Sequence, residues 1–212
     1  MHDPQRFIGT EKDSDGRGRA VDQDSFVALD VETANPSISS VCQVAAVRFV
    51  AGRVAEVWHS MIDPEEPFAQ LNVRLHGIDE AVVRHAPTFP SVMPALSLMV
   101  AGRVVASHMA FDRVAMHRVC CKYGIPPVSC AWLDTARVAR RAWPRFARRG
   151  YGLKSVASWC GIEFEHHNAV EDARAAGRIL VQAVSETGIG VDTWLSYPRV
   201  GVREPQFAGS RR

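Results

Sequence analysis

Apolar residues fall first into three short runs and then into stretches with helical spacing. Ser25 to Val31, Val41 to Val50 and Arg53 to Ile62 are rich in β-branched and other apolar residues, and only Ala51-Gly52 divides the last two. Two such runs around a two-residue break containing Gly predict a hairpin, and all three predict an antiparallel meander. The pattern changes after Asp63-Pro64. Asp79 to His85 and Ser91 to Val100 read as helices, and Arg103 to Ser107 as a strand. Asp112 to Tyr123 carries Met116, Val119, Cys120 and Tyr123 at i, i+3, i+4 and i+7, the spacing of a helix face. Cys130 to Leu133 predicts a fifth strand, and Thr135 to Ala142, Leu153 to Trp159 and Ala169 to Ser185 predict helices. In the last of these Ala173, Ala176, Leu180, Val181 and Val184 form one apolar stripe. Strands first, then strands alternating with helices, indicate an α/β fold: a mixed five-stranded sheet flanked by helices.

The 212 residues are 47% hydrophobic and 23% charged, the balance of a globular chain with one ordinary domain. Residues 1–24 read as a polar tail, 25–186 as the domain, and 187–212 as a C-terminal extension with a basic tail. The most apolar stretch, Val92 to Ala101, is broken by Pro94 and Ser97 and falls short of the ~20 residues of a membrane helix. No apolar secretory leader follows Met1, so a soluble cytoplasmic protein without membrane contact is expected. The five cysteines form no CxxC pair and read as reduced, mostly buried thiols. A zinc site from His108, His117 and Cys120 or Cys121 is the metal-binding alternative, although a fourth ligand is missing from the spacing. Net charge is +2, yet residues 135–162 hold six arginines and Lys154 with no acid, leaving −5 on the remainder. A basic stripe of that kind suggests a polyanionic partner.

Three segments carry candidate chemistry. In Phe26-Val27-Ala28-Leu29-Asp30-Val31-Glu32-Thr33, Asp30 and Glu32 are two apart and so project from the same face of a strand end. Adjacent carboxylates repel unless a cation lies between them, and Mg²⁺ prefers such oxygens. A polar strand end turning into a loop is the alternative. In Ser107-His108-Met109-Ala110-Phe111-Asp112, Asp112 follows a strand and opens a helix, a position equally suited to an N-cap. In His166-His167-Asn168-Ala169-Val170-Glu171-Asp172, Asn168 and Glu171 have the spacing of a capping box, which leaves His167 outside the helix and Asp172 in its first turns.

Asp30-x-Glu32, Asp112 and His167-x4-Asp172 together resemble, in order and spacing, the three motifs of the DEDDh 3′→5′ exonucleases. That family includes the epsilon proofreading subunit of bacterial DNA polymerase III, ribonuclease T and oligoribonuclease. Leu75-His76-Gly77-Ile78, Leu133-Asp134-Thr135 and Gly152-Leu153-Lys154-Ser155-Val156-Ala157 are also similar to family text, and the resemblance covers roughly residues 25–185. The second motif departs from it. The family usually has His-Asn, one or two further residues, then Phe-Asp, whereas here Met109 follows His108 and the loop is shorter.

The resemblance implies a ribonuclease-H-like fold and a phosphodiesterase using two ions of Mg²⁺ or Mn²⁺. Two ions ~3.5–4 Å apart activate water and clamp the leaving oxygen in such enzymes. By the same resemblance Asp30 bridges the ions, Glu32 and Asp172 complete the first site, and Asp112 serves the second. His167 accepts the proton of the attacking water, and the backbone of Thr33 and Ala34 meets the 3′-terminal nucleotide. The expected substrate is the 3′ end of single-stranded or frayed DNA, with RNA trimming or a catalytically silent nucleic-acid-binding module as alternatives. Nothing in the sequence indicates a polymerase partner. The stretch from Arg137 to Arg149 interleaves arginines with Trp143 and Phe146. Either it grips substrate, with Arg145 and Arg148 on phosphates and the aromatics on bases, or it is a solvated face with the aromatics packed inward.

Overall fold

A computed structural model describes residues 25–197. Its sheet is built from β1 (Phe26–Thr33), β2 (Val41–Val50), β3 (Arg53–Met61), β4 (Val104–Ser107) and β5 (Ala131–Asp134), in the order β3-β2-β1-β4-β5. The first three strands are antiparallel, while β4 and β5 run parallel to β1 and to each other. Ala51 and Gly52 both have positive φ (47° and 76°), the paired left-handed conformation of a tight hairpin whose twist matches its strands. β1 is central and covered on both faces, which is why its first four residues are all buried.

Eight helices accompany the sheet: α1 (Gln70–His76), α2 (Glu80–Val83), α3 (Phe89–Val100), α4 (Phe111–Lys122), α5 (Thr135–Ala142), α6 (Leu153–Trp159), α7 (Ala169–Thr187) and α8 (Val191–Ser196). One face of the sheet packs Phe26, Ala28, Phe49 and Val57 against Ala173, Ala176, Ile179 and Leu180 of α7, with α5 and α6 alongside. The other packs Leu29, Val31, Trp58 and Val105 against α3 and α4. Gly177 permits the close approach of α7, since a Cβ there would lie 2.1 Å from a ring carbon of Phe49. Phe49 is in turn stacked on Phe26 with ring centroids 4.9 Å apart.

The sheet and helix layers match the sequence reading, and the differences are local. α1 was not expected, because none of its residues is buried and it shows no apolar stripe. α8 lies in the segment read as an extension, yet Val191 and Trp194 are buried in the same core as α7. Asn168 caps α7 as expected, but Glu171 pairs with Arg174 at 3.3 Å instead of reaching back to close a capping box. The two tails, apart from residues 187–197, lie outside the described residues. Among the described residues no helix is long and apolar enough to cross a membrane.

Candidate active site

The site forms where β1 leaves the sheet. Asp30 pairs with Ala45 and Glu32 with Gln43, and both carboxylates lie on the α7 side, where Asp172 enters from the first turn of that helix. Ligand oxygens of Asp30, Glu32 and Asp172 all lie within 4.8 Å of one another. Asp112, only 3% exposed, comes from the opposite side of the sheet. Its Oδ1 accepts the backbone N–H of Val31 at 3.2 Å, the residue between the two acids of the first motif. Asp112 is therefore not a cap: Ala110 occupies that position and makes no side-chain bond.

Burial and mutual repulsion decide how these acids titrate. Asp30 is held well above the usual carboxylate range, first by loss of water and then by Asp112, Asp172 and Glu32. Glu32 is pushed up to about 8 by burial and then by Asp172 and Asp112. Asp112 is raised to about 7 by burial, against the lowering effect of the backbone N–H bonds it accepts. Clustered hard oxygen donors that retain protons near neutrality suit a divalent ion such as Mg²⁺ or Mn²⁺, which replaces those protons with fixed charge.

The histidines lie against Asp172. His166 Nδ1 is 3.0 Å from both Asp172 oxygens, and the His167 backbone N–H donates to Oδ2 at 3.1 Å. The two rings stack with centroids 4.0 Å apart, and His167 adopts φ 70°. Burial first, then the neighbouring His166, lowers the His167 pKa below its usual value, which favours the uncharged ring. Both histidines can thus offer a nitrogen near Asp172.

Thr33 and Ala34 leave the end of β1 beside α1. Ala34 is fully buried, its N–H donates to the Ser40 carbonyl and its carbonyl accepts from Ala69 N, both at 2.8 Å. The Ala34 N–H is therefore engaged within the fold, and its carbonyl already accepts one hydrogen bond. The Thr33 carbonyl is occupied as well, by Asn72 Nδ2 at 2.8 Å and His76 Nε2 at 3.1 Å. The sequence does not single out Asn72, and His76 enters it only in the Leu75-His76-Gly77-Ile78 text.

The shortened second-motif loop is held from outside the site. Met109 N donates to Asp134 Oδ1 at 3.0 Å, and the His108 ring spans Thr135 Oγ1 (2.9 Å) and the Tyr151 carbonyl (2.8 Å). This removes His108 from the zinc alternative; His117 Nδ1 and Cys121 Sγ are 3.7 Å apart elsewhere on α4. In the basic segment Trp143 and Phe146 are buried and pack on Trp159, which rules out base stacking on them. Arg145 and Arg148 are exposed, and Arg145 lies over the Phe146 ring at 5.2 Å.

A mixed five-stranded sheet with acids gathered at the end of its central strand is the arrangement that the motif resemblance implies. Residues 27–180 match the exonuclease family RNase_T, and the chain belongs to that family. The PolC-type DNA polymerase III of Caldanaerobacter subterraneus subsp. tengcongensis is 27% identical over 175 residues, covering 81% of this chain and 12% of that protein. The PolC-type DNA polymerase III of Streptococcus mutans serotype c is 30% identical over 159 residues, with 74% and 11% covered. The chain thus spans roughly a ninth of the length of these curated relatives. Among solved structures, Exonuclease X in complex with 5′ overhanging duplex DNA superposes with a TM-score of 0.66 at 19% identity, over 80% of this chain and 97% of that one. The nuclease domain of 3′hExo, a DEDDh family member bound to rAMP, gives 0.65 at 17% identity, over 77% and 93%.

Proposed function

We propose that this chain is a two-metal-dependent 3′→5′ exonuclease that releases nucleoside monophosphates from the 3′ end of single-stranded or frayed DNA. The observation that carries this reading is the cluster of Asp30, Glu32 and Asp172 oxygens with Asp112 beside it. Two divalent ions bound there would supply a water of lowered pKa and a charge clamp for the leaving oxygen. Asp30, Glu32 and Asp172 would hold one ion, and Asp112 would serve the other. His167, neutral through burial, accepts the water's proton at a ring nitrogen. Arg145 and Arg148 draw the phosphate backbone toward the site.

DNA is favoured over RNA because the matched relatives are DNA polymerases. The RNA alternative draws on the 3′hExo domain with its bound rAMP. End-labelled single-stranded DNA, duplex DNA and RNA, digested side by side with Mg²⁺ or Mn²⁺, separate these readings. We expect 5′-labelled single-stranded DNA to shorten from its 3′ end and EDTA to stop the reaction. Shortening that persists in excess chelator overturns the metal-dependent reading, and preferential loss of RNA overturns the substrate assignment.

A further inference from the structure

We infer that Asn72 and His76 of α1 are positioning residues that fix the end of β1, and through it the Glu32 carboxylate, for the cation. The inference rests on the metal-dependent reading above and deepens it. The β1–β2 register shifts between Glu32 and Thr33, so regular pairing stops constraining the backbone beside a metal-site carboxylate. Irregularities of this kind re-aim a side chain next to an active site, and they need support from elsewhere.

That support is α1. Asn72 Nδ2 and His76 Nε2 converge on the Thr33 carbonyl at 2.8 and 3.1 Å. Because a carbonyl only accepts, Nε2 carries the hydrogen. The other ring nitrogen, Nδ1, accepts the Ile78 N–H at 3.1 Å, which fixes the same neutral tautomer from the opposite side. Gly77 makes that return bond available: it ends α1 at φ 74°, a left-handed turn that glycine adopts without penalty. Ile78 is then buried with Ala34, Cys42 and Val83, and the Ala69 N–H holds the Ala34 carbonyl at the other end of the helix. The short helix is therefore tied to the strand end at both of its own ends. It leaves Gln70, Leu71, Arg74 and Leu75 exposed and Val73 half-buried, and buries none, as befits an element kept for what it holds in place.

Groups that orient a metal ligand from behind typically alter metal affinity by 10–100-fold when removed. The test measures Mn²⁺ binding to the metal-free full chain by calorimetry, without substrate. We expect His76→Ala to weaken Mn²⁺ roughly 10–100-fold and Asn72→Ala to weaken it less. His76→Gln, whose amide N–H can replace Nε2–H, should restore most of the affinity. In a Glu32→Gln background, His76→Ala should add little further loss, since its effect acts through Glu32. Unchanged affinity in both His76→Ala and Asn72→Ala overturns the positioning role, as does an equal loss in the Glu32→Gln background. A wild-type chain that binds no Mn²⁺ overturns the metal-dependent reading itself, a result distinct from either.

Discussion

The loop carrying Asp112 and the segment carrying His166 and His167 reach the same site by opposite constructions. The loop is anchored to elements outside it: Asp134 and Thr135 at the start of α5, Tyr151 before α6, and Ser107, whose Oγ donates to the Met109 carbonyl at 3.0 Å. The histidine segment is anchored to a metal-site acid. Among the described residues the side-chain bonds of His166 and the side-chain-directed bond of the His167 backbone all go to Asp172. Asp112 is therefore placed independently of any cation, whereas the position of the histidines is coupled to the state of Asp172. The carboxylates thus form a floor, and the histidines a wall bonded to one of its acids, Asp172.

The largest expected effect comes from the floor. Asp30→Asn should abolish nearly all activity while leaving the fold intact, because it removes the charge shared by the whole cluster. Stability should move the other way. Asp30, Glu32 and Asp112 hold protons more tightly in the fold than in the unfolded chain. Their contribution is fully present below the ordinary carboxylate range and is lost as pH rises through about 7 for Asp112 and about 8 for Glu32. In chelator, the melting temperature should thus fall between pH 6 and pH 9, and Mg²⁺ should restore more at pH 9 than at pH 6. Asp30→Asn should flatten the fall. A melting temperature that rises with pH across this window would show that the acids are not strained against one another.

The wall comes next. His167→Ala should lower turnover by ~10²–10⁴-fold, the usual worth of a general base, with Mn²⁺ affinity little changed. Because the neutral ring is the active form, the rate should rise with pH through the His167 pKa, which burial and His166 displace to the acid side of its usual value. His166→Ala removes the ring bonded to Asp172 and should mainly change the metal concentration needed. If His166→Ala costs the turnover and His167→Ala does not, the base is His166 and the assignment reverses.

How much of this was legible in the sequence follows the same division. The sheet was readable because β1 and β2 bury nearly continuous apolar runs and β3 follows β2 across the two-residue Ala51-Gly52 break, and α7 because its stripe repeats at helical spacing. The site acids were readable because Asp30 and Glu32 share a strand face by alternation alone, and because ordered motif spacing singled out Asp112 and Asp172. Supporting groups were not. α1 has no buried face to produce a periodic signal, and Asn72 and His76 act on a backbone carbonyl 39 and 43 residues away. Nor does a sequence reveal that Ala34 spends both backbone groups on its neighbours, or that Trp143 and Phe146 turn inward.

Gly177→Ala tests whether floor and wall are joined through α7. Its Cβ would collide with Phe49, and overpacking of this sort costs about 3 kcal/mol. Since α7 carries Asp172 and hence the histidines, Mn²⁺ affinity should fall along with stability in chemical denaturation. The Asp112 loop, attached to α5 and Tyr151, should keep its amide protection in hydrogen exchange. Equal loss of protection in both regions would show that the loop is not independent.

The smallest expected effect lies in the loop itself. Met109 adopts φ 75° and is 46% exposed, so a long side chain occupies a left-handed backbone position with little packing in return. Asn and Gly tolerate that conformation better than other residues, and the related motif usually has Asn at this place. Met109→Gly relieves a left-handed penalty of roughly 1–2 kcal/mol per residue, offset in part by the greater freedom of glycine in the unfolded chain. A net gain of about 0.5–1 kcal/mol in denaturant unfolding is expected, with Mn²⁺ affinity unchanged, because Asp134 and His108 hold the loop through groups the substitution leaves alone. A loss of stability would mean that the Met109 side chain contributes more by its contacts than its backbone conformation costs. A change in Mn²⁺ affinity would mean that Asp112 depends on this turn, and the contrast between an independently anchored loop and a metal-coupled histidine wall would no longer hold.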